Sequence, residues 1–218
     1  MFTQQQRNLT ALSGILGTVA LVAYYAAPFT FMPLPPANAP AAQVITFGTT
    51  YQNVILFDAW LQALGALLSV VFVLALVQMA GTANCLAGRL TLLAGGVVLA
   101  LALAEGTFEI GAAMAAANGH IQTGLVCFDL TYTFIHVFLI APSLFLMLGF
   151  ALRGTNLLPA AFSAAALVLG GAFEILGLVS LFSTAALLLV IVVLMAQNVW
   201  SIAAALVLAL RPAKPVAA

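Results

Sequence analysis

The run Ala102–Met114 (ALAEGTFEIGAAM) carries Glu105 and Glu109 four residues apart in a stretch that is otherwise apolar. Residues at that spacing share one face of a helix. Three further acids, Asp58, Asp129 and Glu174, complete the chain's five, and each sits in an apolar run. A carboxylate at membrane depth costs about 3 kcal/mol even on the lenient insertion scale. Such residues face an interior or a wet cavity and point to function. Carboxylates gathered without a basic partner hold protons or a cation.

The candidate ligand-binding residues are therefore Asp58, Glu105, Glu109, Asp129, His136, Glu174, Gln197, Asn198 and Trp200. His136 lies two turns beyond Asp129 on one face and suits a proton relay or a metal ligand. Gln197, Asn198 and Trp200 fall mid-run in the last apolar segment. Asp58, Glu109, Asp129 and Glu174 have the hard oxygen donors that a divalent metal takes. A carboxylate-bridged dimetal bundle would normally add Glu-x-x-His pairs. This sequence has only looser substitutes, Glu105-x-x-x-Glu109 and Asp129 with His136. No Ser-His-Asp set, P-loop or nucleotide fingerprint is present.

Composition defines the solvent. The chain of 218 residues is 65% hydrophobic and 5% charged, with zero net charge. A soluble domain carries about a quarter charged residues, so this chain lives in lipid. Five Lys and Arg cannot neutralise a run of phosphates, which excludes nucleic-acid binding.

The fold class read from the sequence is all-α, a single polytopic domain of six transmembrane helices. A span needs about 20 apolar residues. The expected spans are 9–29, 51–80, 90–116, 123–152, 160–181 and 184–210. Arg7, Arg89, Arg153, Arg211 and Lys214 then all fall on one side. The positive-inside rule makes that side the cytoplasm and places both termini there. The expected location is a bacterial cytoplasmic membrane. Ala37-Asn38-Ala39 has the small residues of a signal cleavage site. The preceding run is long enough to span and a proline follows the cut, so an uncleaved first helix is expected.

The unit Phe-Asp, helix, Arg-containing turn, helix, Gly-x-Phe-Glu-Ile occurs twice. It uses Phe57-Asp58 with Gly106–Ile110, then Phe128-Asp129 with Gly171–Ile175. This predicts a parallel repeat of helices 2–3 and 4–5 about an axis along the membrane normal. It places four acids at one level, in a funnel open to the outside. Pro142 should kink helix 4. The uncharged Pro- and Ala-rich segment from Thr30 to Thr50 is expected to drape over the outer mouth. Tyr24, Tyr25 and Tyr51 fit an outer interfacial belt. His120 is expected in a solvated turn. Cys85 and Cys127 lie at opposite ends and are expected to be buried, unpaired thiols.

At Arg153-Gly-Thr-Asn-Leu-Leu-Pro159, before a small-residue apolar helix, the chain resembles a family of uncharacterised bacterial integral membrane proteins. That family has a cytoplasmic turn ending in Leu-x-Pro and an acid in its third helix, a place that Glu105 or Glu109 would fill. It usually has an aromatic soon after the proline, where this chain has Ala160-Ala161-Phe162. The resemblance implies a six-helix membrane protein and brings no activity with it. Three functions stay open. One is a transporter or sensor with an outward-facing cation or proton site. Another is a non-catalytic subunit whose partner, a basic membrane protein or a second copy, covers the acids. The third is a membrane-embedded metalloenzyme.

Overall fold

The computed structural model describes residues 2–36 and 39–211. Lys214 and the Ala37-Asn38 pair lie outside the described residues. The helices are α1 (Gln4–Thr30), α2 (Ala41–Thr50), α3 (Gln52–Met79), α4 (Leu86–Ala117), α5 (Ile121–Leu139), α6 (Leu144–Leu152), α7 (Ala160–Ser180) and α8 (Thr184–Leu210). Six segments are long and apolar enough to cross a membrane, with α5 and α6 forming one of them. The protein is an all-helical, multi-pass membrane bundle that sits in a lipid bilayer.

Connectivity gathers the arginines at one end. Arg7 and Arg89 occupy first turns of α1 and α4, so these helices start earlier than the apolar runs suggested. Arg7 Nε donates to the Leu208 carbonyl at 3.2 Å, and Gln4 Nε2 donates to the Ala209 carbonyl at 3.0 Å. Arg211 donates to the Leu157 carbonyl at 3.1 Å. These donors satisfy carbonyls that a helix end or a turn leaves without partners. Cys85 caps α4, its Sγ accepting from Gly88 N–H at 3.4 Å. Both thiols are free, but Cys85 is exposed, because the cap position lies at the bundle's rim.

The basic end is packed solid. Phe72, Leu76, Val77, Leu148 and Leu208 are almost fully buried there. Trp200 joins this core, with its Nε1 donating to the Phe162 carbonyl at 2.9 Å and its ring against Phe145 and Phe162. It does not line a funnel. The α1 and α3 helices meet through glycines, since a Cβ on Gly17 would stand 2.8 Å from the Ser69 nitrogen. Small residues at such crossings let backbones approach in lipid.

Pro142 does more than kink its span: the helix stops and restarts. Proline cannot donate and its ring clashes with the carbonyl four residues back. Ser143 begins α6, with Oγ accepting from Leu146 N–H at 3.2 Å. Its own N–H donates to Glu174 Oε1 on α7. The break lies directly on α7. A Cβ on Gly170 would meet the Leu146 nitrogen at 2.1 Å, and one on Gly177 would meet the Leu139 carbonyl oxygen at 2.1 Å. Gly170, Glu174 and Gly177 thus form one face of α7 that receives the interrupted backbone.

The Thr30–Thr50 segment is only partly extended. Residues 32–36 cross the far end, and α2 then packs on α4 and α5. A Cβ on Gly48 would stand 2.8 Å from Ala116 Cβ, which shows how closely α2 lies on α4.

Gly170→Ala should destabilise the protein. Helix propensity favours alanine by about 1 kcal/mol, but a clash with backbone costs about 1–3 kcal/mol or more. Gly171 has nothing within 4 Å of its Cβ position. Thermal unfolding in detergent should therefore show a clear loss for Gly170→Ala and none for Gly171→Ala.

Candidate functional site

Away from the basic end the helices separate around a central cavity of about 410 Å³. The cavity exists because α5 packs along α4 and touches α7 only slightly, while α6 returns to α7 at the basic end. Its polar groups concentrate where α1, α3 and α4 face one another.

Two pairs of residues make this site, each at four-residue spacing: Asp58 with Gln62 on α3, and Glu105 with Glu109 on α4. Tyr24 of α1 completes it. Gln62 Nε2 donates to Glu105 Oε2 at 2.9 Å and to Tyr24 Oη at 3.2 Å. Tyr24 Oη donates in turn to Glu109 Oε1 at 3.4 Å. One amide and one phenol therefore tie two acids together. Gln62 is 4% exposed and Glu105 is 6% exposed. Gly106 makes room for the amide, since a Cβ there would stand 3.1 Å from Gln62 Oε1.

Three acceptors are left over, the first being Gln62 Oε1, which is buried with no hydrogen-bond partner. Glu109 Oε2 is buried with no hydrogen-bond partner. Asp58 is 5% exposed, lines the cavity, and has no hydrogen-bond partner for its carboxyl among the described residues. Among the described residues no Lys or Arg lines the cavity. Burying an unpaired carboxylate is costly, so this arrangement suits a proton or an incoming cation.

The other residues singled out from sequence go elsewhere. Asp129 is exposed on the outer face of α5 and does not join the cluster. Its counterpart in the motif, Asp58, is buried. The preceding phenylalanines are reversed as well: Phe57 is 59% exposed and Phe128 is 8% exposed. The α5 helix presents the other member of each Phe-Asp pair because it packs on α4 and α2. Glu174 caps the helix break, whereas Glu109 belongs to the cluster. The four acids Asp58, Glu109, Asp129 and Glu174 do not converge. Among the described residues no group of three or more His, Cys, Asp or Glu could hold a metal ion.

His136 is part-buried, with Nδ1 unpartnered, and lies outside the cavity lining. Gln197 and Asn198 line the cavity's deep end, and Gln197 Nε2 donates to the Leu169 carbonyl at 3.5 Å. Tyr24 and Tyr25 line the cavity, so neither serves as a belt residue. Tyr51 packs on Phe47 of α2. His120 is exposed in the turn before α5, as expected.

Sequence reasoning passed over Gln62 and Tyr24. The signal for Gln62 was its place one turn beyond Asp58. The signal for Tyr24 was a phenol nearly two turns inside its helix end, which reads equally as belt or interior. The far mouth is closed by residues 32–36, with Leu34 lining the cavity and Tyr132 Oη donating to the Pro35 carbonyl at 2.7 Å. Comparison with family models, with curated proteins and with solved structures finds no match to this chain.

Tyr132→Phe removes the bond that holds the proline segment over the mouth. A cysteine placed at Ala112, on the cavity wall, should then react several-fold faster with an impermeant maleimide added from the far side. An unchanged rate would mean that the Tyr132 bond does not control entry.

Proposed function

We propose that this is a membrane protein of the transporter class that takes up a proton or a cation at Asp58, Glu105 and Glu109. One observation carries the reading. Three acids on two facing helices share a cavity wall that has no Lys or Arg among the described residues. Carboxylates so placed cannot all be ionised without a compensating positive charge. They therefore exchange protons for a cation, or bind and release protons as the site opens. The broken α5–α6 span adjoining the cavity supports movement, because interrupted helices border the sites of many transporters. The arginine-rich end is taken as cytoplasmic. That choice puts both termini in the cytoplasm of a bacterium and turns the mouth covered by residues 32–36 outward.

A second reading has its own support in Asp129. This acid sits roughly 12 Å along α5 from the far end and faces away from the bundle. In lipid that position is costly. A partner subunit with a basic residue, or a second copy, would cover it.

Proteoliposomes on a conducting support distinguish the two. A step in pH should displace charge in the wild type. The signal should vanish in Asp58→Asn/Glu105→Gln/Glu109→Gln and persist in Asp129→Asn. Equal signals in the wild type and the triple variant would remove the cluster as the site. Loss in Asp129→Asn alone would favour the partner-dependent reading.

A further inference from the structure

Resting on the cation site just described, we infer that the cavity's ligand is an amphipathic organic ammonium. Its charged head lies against Asp58 and Glu109, and its apolar body fills the cavity toward Phe173 and Val190. The carboxylate arrangement argues first. A small metal ion demands a close shell of several oxygens. The acids here form no such group among the described residues. An alkylammonium spreads its charge over carbon and needs nearby negative charge without close coordination. Asp58 and Glu109 Oε2 supply it, because Gln62 and Tyr24 already occupy Glu105 Oε2 and Glu109 Oε1.

The aromatic rings argue next. Tyr24, Tyr25, Phe128 and Tyr132 line the same cavity, and Tyr24 bonds directly to Glu109. Ring faces attract alkylammonium heads, and a desolvated site strengthens that attraction. Size is the third argument. A cavity of about 410 Å³ falls within the roughly 300–1,000 Å³ of pockets for organic ligands. A proton or a bare metal ion would use only the acidic wall. Most of the remaining lining from α5, α7 and α8 is carbon, including Leu139, Phe173 and Val190, its polar side chains being Thr131, Tyr132, Gln197, Asn198 and Ser201. An apolar tail gains by leaving water for that lining.

The test uses the full chain purified in a neutral maltoside and isothermal titration with three probes. These are hexyltrimethylammonium, tetramethylammonium and 2,2-dimethyloctane, the neutral carbon isostere of the first. Hexyltrimethylammonium should bind at least tenfold more tightly than either of the others. Asp58→Asn/Glu109→Gln should weaken it at least tenfold. Two results overturn the inference: tetramethylammonium binding as tightly as the hexyl compound, or the neutral isostere binding as tightly as the cation. The three-probe comparison is made on the wild type, so it decides even if the double variant misfolds. If no probe binds but the pH-step signal depends on the cluster, the organic-cation inference fails and the proton or cation site stands. If both are absent, the site itself is wrong.

Discussion

The structure turns on one constraint: carboxylates in lipid with no basic residue beside them. Each acid must find protons, donors or a cation, and the chain gives different answers in different places. Glu105 and Glu109 receive bonds from Gln62 and Tyr24. Glu174 accepts from the free N–H that Pro142 creates by stopping a helix. Asp58 is buried and left to whatever enters the cavity. Asp129 faces outward, where lipid or a partner must meet it.

The same constraint explains why the bundle is solid at one end and hollow at the other. Arginines cap helices and a turn at the basic end, where large apolar side chains close the core. Toward the far end α5 leans on α4 and α2, leaving room along α7. The break at Ala141–Ser143 allows this. It lets the first half of the span lie on α4 while the second half packs against both α4 and α7. Glu174 and the two glycines beside the break make the interruption tolerable in lipid, where a free backbone donor is expensive.

Much of this was legible in the sequence, for physical reasons. Apolar runs about 20 residues long can only be spans, and the span at 184–210 was placed to the residue. That Glu105, Glu109 and Asp58 turn toward the interior followed from the cost of burying charge. What the sequence did not reveal was helix rotation. Phe57-Asp58 and Phe128-Asp129 look alike, yet one aspartate faces in and the other out. Rotation is set by the neighbours that a helix chooses, and a two-residue motif does not record them. The short helix α2 was hidden because Pro-rich flanks and a lack of charge read as a segment draped over the mouth. Trp200 was read as a lining residue from its depth alone, but its indole found a carbonyl at the packed end.

The central claim is that the buried acids exchange protons for a cation. Infrared difference spectroscopy tests it most directly, by following the carboxylic-acid carbonyl stretch as hexyltrimethylammonium is added to the solubilised protein. In the wild type protonated-carboxyl absorbance should fall and carboxylate absorbance should rise. Asp58→Asn/Glu109→Gln should show no such change. An identical spectrum before and after addition, in protein shown to have bound the cation, would contradict the claim.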